Sequence, residues 1–289
     1  MILPYFNGLP QALDGVSCVS KTFCLAGGDF GQVLRWNGRR WSGPQFIEEA
    51  ENLVRDVSCA SRAFCVAVDD AGNAIALHNG KWGRAVRIDR HESLDAISCA
   101  SRSFCMAIGN TLGEPGPQFS YAVTFNGRRW SAEKAVKDGG QLGAVSCASA
   151  SFCVAVGYPG KVLTFNGKAW RAATLRGGSQ ELLSVSCASA AFCAEVDDNG
   201  DASEFDGHAW SRPLKIIQPG TGGLISVSCA SAGHCATVSD TDAAELDGRS
   251  WTRPALVDPQ QAMSSVSCPS ASFCTAVGDF GEALTYSLR

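Results

Sequence analysis

Fourteen cysteines divide this chain of 289 residues into seven repeats. They occur as seven pairs, and the same spacing, Cys-x5-Cys, separates the two cysteines of every pair. Successive pairs begin about 40 residues apart, which is a period typical of units built from four short strands. The pairs are Cys18 and Cys24, Cys59 and Cys65, Cys99 and Cys105, Cys147 and Cys153, Cys187 and Cys193, Cys229 and Cys235, and Cys268 and Cys274.

Each repeat has the pattern of four short strands, which we call a to d. In the fourth copy, residues 145–157 contain the cysteine pair, and residues 161–170 contain an Asn-Gly pair followed by a tryptophan. Short apolar runs separated by Ser, Gly and Asn-Gly are typical of strands and hairpins. Strand a ends in Val-Ser-Cys, strand b begins at Phe-Cys, strand c precedes Asn-Gly, and strand d begins near the tryptophan. No segment of useful length has helical periodicity, so the sheets must pack against each other.

Seven such units predict an all-β fold, a seven-bladed β-propeller with four antiparallel strands per blade. The last repeat stops in strand c, whereas the start of the chain aligns with the strand d segments that follow the tryptophans. We therefore predict a single domain, 1–289, in which residues 1–8 form strand d of the last blade and close the ring. The blades are expected to begin near residues 13, 53, 94, 142, 182, 224 and 263.

The core Ser-Cys-Ala-Ser-x-x-Phe-Cys-x-Ala-Val-Gly, followed by Phe-Asn-Gly-x-x-Trp, resembles the cysteine-paired β-propeller repeats of secreted actinobacterial proteins. It is more distantly similar to Asp-box (BNR, sialidase-type) and photosystem-assembly-factor propellers. The resemblance covers nearly the whole chain and implies the propeller fold. It implies no catalytic residues, because the arginine triad and the tyrosine nucleophile of sialidases have no matching positions here.

Each cysteine pair flanks the a–b turn, so we predict one disulfide per blade. Closing a hairpin loop of this size stabilises a fold by roughly 2 kcal/mol. Reduced buried thiols are an alternative, whereas zinc is disfavoured because Cys-x5-Cys lacks the usual ligand spacing. Complete pairing favours an extracellular location. The chain does not begin with a signal-peptide pattern, so a cytoplasmic location with reduced cysteines remains the alternative.

Composition excludes two classes of partner. The net charge of −4 argues against non-specific binding to nucleic acid, and no apolar run is long enough for a membrane span. The expected partner is a protein, a peptide, a glycan or a small molecule, and the protein is expected to be a monomer. No cofactor is predicted; calcium at residues 197–201, which are rich in Asp, is the alternative.

The variable loops predict the position of the ligand site. In a propeller, the a–b and c–d turns share one face, and the b–c and d–a loops share the other. The first face repeats the same residues in every blade, whereas the second varies, so we expect the ligand at the second face, around the mouth of the central channel. Charged residues occur in three successive blades four positions before the first cysteine, and apolar residues in two later blades. The predicted binding residues are Asp14, Arg55, Asp56, Asp95, Phe119, Tyr121, Tyr158, Leu183 and Ile225.

Two functions fit this pattern. The first is a secreted, disulfide-stabilised binding module that recognises a protein, peptide or glycan through the variable b–c and d–a loops. The alternative is a small-molecule hydrolase, lyase or cyclase with an acid/base site at the channel mouth. Its candidate catalytic residues are Asp14, Asp95 and His91, with Arg55 holding an anionic substrate and the loop of residues 109–121 as a lid.

Overall fold

The strands form seven separate antiparallel sheets, the blades of a seven-bladed β-propeller. This computed structural model describes residues 12–47, 52–90, 94–111, 119–174, 180–218, 222–248, 250–257 and 262–286. Within these ranges there is no α-helix, and the only helical segments are two single 3₁₀ turns, Asp29–Gly31 and Asp279–Gly281. The predicted fold class is confirmed.

Strands a, b and c occur in all seven blades. Strands a are Leu13–Ser20, Val54–Ser61, Leu94–Ser101, Gln141–Ser149, Leu182–Ser189, Ser226–Ser231 and Met263–Ser270. Strands b are Phe23–Gly28, Phe64–Asp69, Phe104–Asn110, Phe152–Tyr158, Phe192–Asp197, His234–Val238 and Phe273–Gly278. Strands c are Gln32–Trp36, Asn73–His78, Ser120–Phe125, Lys161–Phe165, Asp201–Phe205, Asp242–Asp247 and Ala283–Tyr286.

Strand d is the outer edge strand and is shorter. In blades 2 and 6 it consists of two pieces, because the chain leaves strand c after the tryptophan and then returns. Strands d are Gln45–Phe46, Lys81–Trp82 with Val86–Arg87, Lys134–Ala135, Trp170–Thr174, Leu214–Lys215, and Ser250–Trp251 with Ala255–Leu256. The strand d predicted for blade 7, residues 1–8, lies outside the described residues.

Apolar side chains of neighbouring sheets form the core. Between blades 2 and 3, for example, Val66 and Val68 pack with Leu94 and Ile97. Burying such a side chain stabilises the fold by about 1.5–3 kcal/mol. Tryptophans pack against several of the cores between blades; the rings of Phe125 and Trp130, for example, are 5.2 Å apart beside the core between blades 2 and 3.

A hydrogen bond recurs between all neighbouring blades at the centre of the ring. The serine before the first cysteine of one blade accepts from the backbone N–H of that cysteine in the next blade, over 2.8–3.0 Å. The bond from the Cys18 N–H to the Ser267 hydroxyl joins blade 1 to blade 7, so the ring closes through its innermost strands. The other acceptors are Ser17, Ser58, Ser98, Ser146, Ser186 and Ser228.

All seven cysteine pairs form disulfides, one in each blade, and no cysteine is free. In blade 1, Cys18 and Cys24 lie directly opposite each other in the a–b hairpin, with their Cα atoms 4.0 Å apart. Such disulfides persist in oxidising environments.

The two faces of the propeller carry different turns. On one face the c–d turn packs on the a–b turn, and the Trp36 indole N–H donates to the Lys21 carbonyl over 3.0 Å. On the other, the b–c turn pairs with the chain that enters strand a. The Asp29 N–H donates to the Ala12 carbonyl over 3.1 Å, and the Ala12 N–H donates to Asp29 Oδ2 over 2.8 Å. We call the face formed by the b–c turns and d–a connections the loop face.

Candidate functional site

Six of the seven positions four residues before the first cysteine are β-bulges in strand a. In blade 1, Leu13 pairs with Gly28 and Gly15 pairs with Gly27, so Asp14 is the extra residue between them. A bulge redirects its side chain out of the regular alternation of the strand, and bulges are frequent beside functional sites. The bulged residues are Asp14, Arg55, Asp95, Gly143, Leu183 and Ser264.

Asp14 is the centre of a group of charges from three blades. Burial, and to a smaller extent the carboxylates of Asp29, Asp279 and Asp70, raises the pKa of Asp14 to about 6, while the guanidinium of Arg55 opposes this rise. Such charges act through space and weaken with distance, so these residues lie on the same part of the loop face. We call Asp14, Asp29, Asp70, Asp279 and Arg55 the mouth patch.

Two aromatic turns flank the mouth patch. Blades 1 and 7 both have Asp-Phe-Gly as their b–c turn, and these blades are neighbours across the ring closure. Phe30 and Phe280 adopt φ values of 59° and 57°, in the left-handed region that large side chains rarely occupy. Phe280 is 44% exposed. Each turn contacts strand a of the following blade: the Phe280 turn contacts the strand Leu13–Ser20, and the Phe30 turn contacts the strand Val54–Ser61.

Asp56 lies beside the mouth patch and bridges two blades. Its Oδ1 accepts from the Val57 N–H over 2.7 Å, and its Oδ2 accepts from the Ile97 N–H over 2.8 Å. Gly15 leaves room for this carboxylate, because a Cβ there would lie 3.0 Å from Asp56 Oδ1. Burial raises the pKa of Asp56 to about 7, against the opposing effect of the two N–H groups. Asp56 therefore holds neighbouring strands a together.

Asp95 belongs to a different network. Its Oδ2 accepts from the Asn110 side-chain amide over 2.8 Å, and the same amide donates to the Leu142 carbonyl over 2.9 Å. Asn110 Oδ1 in turn accepts from the Ser120 hydroxyl over 2.6 Å. The network joins blade 3 to the entry of blade 4. Asp95 is therefore held by the hydrogen bond from Asn110 rather than by the charges around Asp14.

The aromatic residues predicted on the loop face differ in accessibility. Phe119 and Tyr158 are 40% and 48% exposed. Tyr121 is only 1% exposed and belongs to the core between blades 2 and 3, so the expectation that it contacts a ligand is wrong. The physical reason is that strand c of blade 3 begins at Ser120, which places Tyr121 inside the sheet rather than in the loop.

Leu183 and Ile225 are partly exposed in blades 5 and 6, away from blades 1, 2 and 7 that carry the mouth patch. Leu183 is a bulge residue, whereas Ile225 precedes strand a and its N–H donates to the Val238 carbonyl over 2.8 Å. His91, the candidate general acid or base, lies outside the described residues, as does most of the predicted lid, residues 112–118.

The acidic residues of the b–c turns have structural roles that explain part of their abundance. Asp197 Oδ1 accepts from the N–H groups of Asn199 and Asp201 over 3.0 and 2.8 Å, which stabilises the turn that was the candidate for calcium. Across the described ranges, no group of three or more His, Cys, Asp or Glu side chains is arranged to hold a metal ion.

Within the same ranges, no helix has the length and apolarity to cross a membrane.

Comparison with solved structures places the chain among β-propellers. It is similar to a structure described as YCF48 bound to D1 peptide, with a TM-score of 0.73 and 15% identity over 100% of this chain and 94% of that one. It is also similar to the WD40 propeller domain of Doa1, with a TM-score of 0.76 and 8% identity over 96% and 94% of the two chains. For the WD40 repeats of RRP9 the TM-score is 0.75, with 11% identity over 96% and 90%.

No family model and no curated protein matches the sequence. At these identities, the likeness to solved structures shows the propeller fold alone.

Proposed function

We propose that this protein is a secreted, disulfide-stabilised binding module that recognises a protein or peptide through its loop face, and that the mouth patch receives a positively charged side chain of that partner. The convergence of carboxylates from three blades around Asp14 supports this proposal most directly. One of the similar propellers is described as binding a peptide, which agrees with this use of the fold.

The negative charge of the mouth patch favours a positively charged group of the partner. The mouth patch contains four carboxylates and one guanidinium, and Asp14 has a raised pKa because it is partly buried and, to a smaller extent, because the other carboxylates repel its charge. A lysine or arginine of a partner would relieve this repulsion. Its binding should therefore lower the pKa of Asp14 and ionise it.

The aromatic turns add a second contribution to cation binding. A cation over an aromatic ring within about 6 Å gains roughly 0.5–2 kcal/mol, depending on desolvation. Holding a residue such as Phe30 or Phe280 at positive φ costs roughly 1–3 kcal/mol, and such costs concentrate at functional sites. The strained turns present aromatic rings beside carboxylates, which is a suitable environment for a lysine or arginine side chain.

The test is selection from a random peptide library displayed on phage, with the immobilised protein as target. We expect the enriched peptides to contain lysine or arginine. Asp14→Asn should weaken their binding by about tenfold, the effect of about 1.4 kcal/mol. Because Gly143 and Ser264 occupy the same bulge in other blades, the neutral side chain is compatible with the fold.

The matched control is Asp247→Asn, which removes an exposed carboxylate from the opposite face, beside the c–d turn of blade 6. It should leave binding unchanged. The proposal would be refuted if the enriched peptides were acidic or uncharged. It would also be refuted if ligands were found only in a parallel glycan array, or if the two substitutions had equal effects on binding.

A second candidate function, a hydrolase, lyase or cyclase, is favoured by one observation. The pKa of about 6 would let Asp14 exchange a proton near neutral pH, and Arg55 beside it could hold an anionic substrate. Turnover of chromogenic ester, phosphate and glycoside substrates by the wild type, but not by Asp14→Asn, would support this function. Turnover that is independent of Asp14, or none with any substrate of the panel, would count against it.

A further inference from the structure

A large cleft in the described part of the chain lies on the outer side of the propeller, between blades 2 and 3. It has a volume of about 1080 Å³. One wall is strand d of blade 2 with the connection that follows it, residues 83–90. The other wall is the c–d turn of blade 3 and the residues after it, residues 125–133. We call this space the outer cleft; it is separate from the mouth patch.

The outer cleft is positively charged although the chain as a whole carries a net charge of −4. Among the described residues, five arginines and one histidine line it, against two acidic residues. The arginines are Arg84, Arg87, Arg90, Arg128 and Arg129, and the histidine is His78.

Both acidic residues of the outer cleft already have partners within the protein. Asp89 is 1% exposed and hydrogen-bonds the side chain of Tyr121. Glu133 Oε1 accepts from the Arg90 backbone N–H over 2.8 Å, which joins the two walls. Among the described residues, no carboxylate forms an ion pair with Arg84, Arg128 or Arg129. These three exposed guanidinium groups are available to an external anion.

The floor of the outer cleft is apolar. Ala74 and Ile88 form part of its base, Trp130 is half-buried beside them, and Val86 is 52% exposed at the edge. An apolar floor with guanidinium groups around it matches a ligand that carries both apolar groups and anions. A single inorganic anion would leave most of this space empty.

The repeat pattern changes at one residue that lines this space. In blades 1, 3, 5 and 6 the residue after the tryptophan is Ser or Thr, and its hydroxyl accepts from a strand c N–H; these residues are Ser42, Ser131, Ser211 and Thr252. Blade 2 has Gly83 at this position. Only the Ala76 carbonyl, at 3.4 Å, lies near the place that a Cβ of residue 83 would take. Gly83 itself lines the outer cleft.

We propose that the outer cleft binds an acidic peptide segment of a partner protein, in which glutamate or aspartate residues flank an apolar side chain. The carboxylates pair with Arg84, Arg128 and Arg129, and the apolar side chain packs on the floor beside Val86. Guanidinium groups bind carboxylates through paired, charge-assisted hydrogen bonds. Nucleic acid is disfavoured, because the negative charge of the rest of the chain repels an extended polyanion.

The experiment measures fluorescence anisotropy of a labelled peptide in which glutamates flank a central leucine. Its affinity for the wild type is compared with that for Arg128→Ala/Arg129→Ala. We expect this pair of substitutions to weaken binding by about tenfold or more, because two charge-assisted contacts are lost.

The chain supplies a matched control. Arg39 and Arg40 occupy the same positions of the c–d turn in blade 1, and Arg39→Ala/Arg40→Ala removes the same charge without touching the outer cleft. It should change the affinity by less than about twofold, since exposed charges elsewhere contribute little. A second test reverses the charge on the other wall. Arg84→Glu should weaken binding, whereas Arg212→Glu, at the same position of blade 5, should not.

Three results would overturn the proposal. One is equal weakening by the blade 1 and blade 3 pairs, which would show a general effect of charge. Another is equal binding of a peptide with lysines in place of the glutamates. The third is tighter binding of single-stranded DNA or a sulfated glycan, tested in the same assay, than of the acidic peptide. None of these results bears on Asp14, so the proposal for the mouth patch is tested independently.

Discussion

Replacing Glu195 by glutamine should remove a large part of the pH dependence of folding. Glu195 lies in strand b of blade 5 and is 2% exposed, and its Oε2 has no hydrogen-bond partner among the described residues. Alanine occupies the equivalent position in five other blades, at residues 26, 67, 107, 155 and 276. A carboxyl group therefore occupies a site that the repeat normally fills with a methyl group.

Burial raises the pKa of Glu195 to about 8 from its ordinary value of 4.5, and the opposing effect of Ser203 is smaller. In the unfolded chain the group titrates near its ordinary value. Because the folded pKa is the higher one, the native state holds the proton more tightly. The stabilisation is complete below pH about 4.5 and is lost as the pH rises towards 8. As the pH rises from 5 to 8, ionisation of Glu195 should therefore lower the free energy of unfolding by about 3 kcal/mol.

The assay is urea-induced unfolding followed by tryptophan fluorescence, with the disulfides intact, at pH 5 and pH 8. Glutamine has the shape of the protonated acid and does not titrate. Glu195→Gln should therefore resemble the wild type at pH 5 and be more stable than the wild type at pH 8. The exposed Glu181→Gln serves as the control and should follow the wild type at both values. The reasoning is refuted if Glu195→Gln loses as much stability between pH 5 and pH 8 as the wild type does.

Three further predictions concern the repeated features. Thiol titration of the denatured, unreduced protein should detect no free cysteine, and Cys187→Ser/Cys193→Ser should lower the unfolding free energy by roughly 2 kcal/mol; a titration that finds most thiols free would contradict the disulfides. Ser146→Ala removes the acceptor of the Cys187 N–H and should lower the free energy of unfolding by about 1–2 kcal/mol in a denaturant titration. A Ser→Ala change at an exposed position should have a smaller effect, and an unchanged midpoint for Ser146→Ala would contradict this prediction. Gly83→Ser restores the hydroxyl that the other blades have at this position, and residue 83 does not have a left-handed φ. The melting temperature should therefore rise, with a gain of about 1 kcal/mol in the free energy of unfolding. A fall in the melting temperature would show that the glycine is required.

The fold could be predicted from the sequence because the same information occurs seven times. Each repeat contains both halves of its disulfide, its hairpin turns and the serine that binds the next blade. Local spacing was therefore sufficient to assign strands a to c. The position four residues before the first cysteine was also found by counting from Cys18 and its equivalents, and in six blades it proved to be a bulge.

The remaining parts of the site depend on partners that are distant in sequence. The double hydrogen bond of Asp56 depends on Ile97 in the next blade and on the space left by Gly15, which no spacing within one repeat reveals. Tyr121 was misplaced because the long loop before it hides where strand c begins. The outer cleft was not predicted at all, since it is lined by residues of two different blades, with Gly83 in one and Arg128 and Arg129 in the other. The only signal in the sequence was the glycine in place of a serine or threonine.

The serine-to-cysteine bonds at the centre of the ring also make the blades interchangeable. Each repeat carries the same acceptor for the blade after it and the same donor for the blade before it, and the junction between the Cys18 N–H and Ser267 uses these groups like all the others. These hydrogen bonds alone therefore do not determine which blade lies next to which. Duplication, loss or exchange of a whole repeat therefore preserves the pattern of serine-to-cysteine bonds, although the bond of Asp56 to Ile97 is specific to blades 2 and 3.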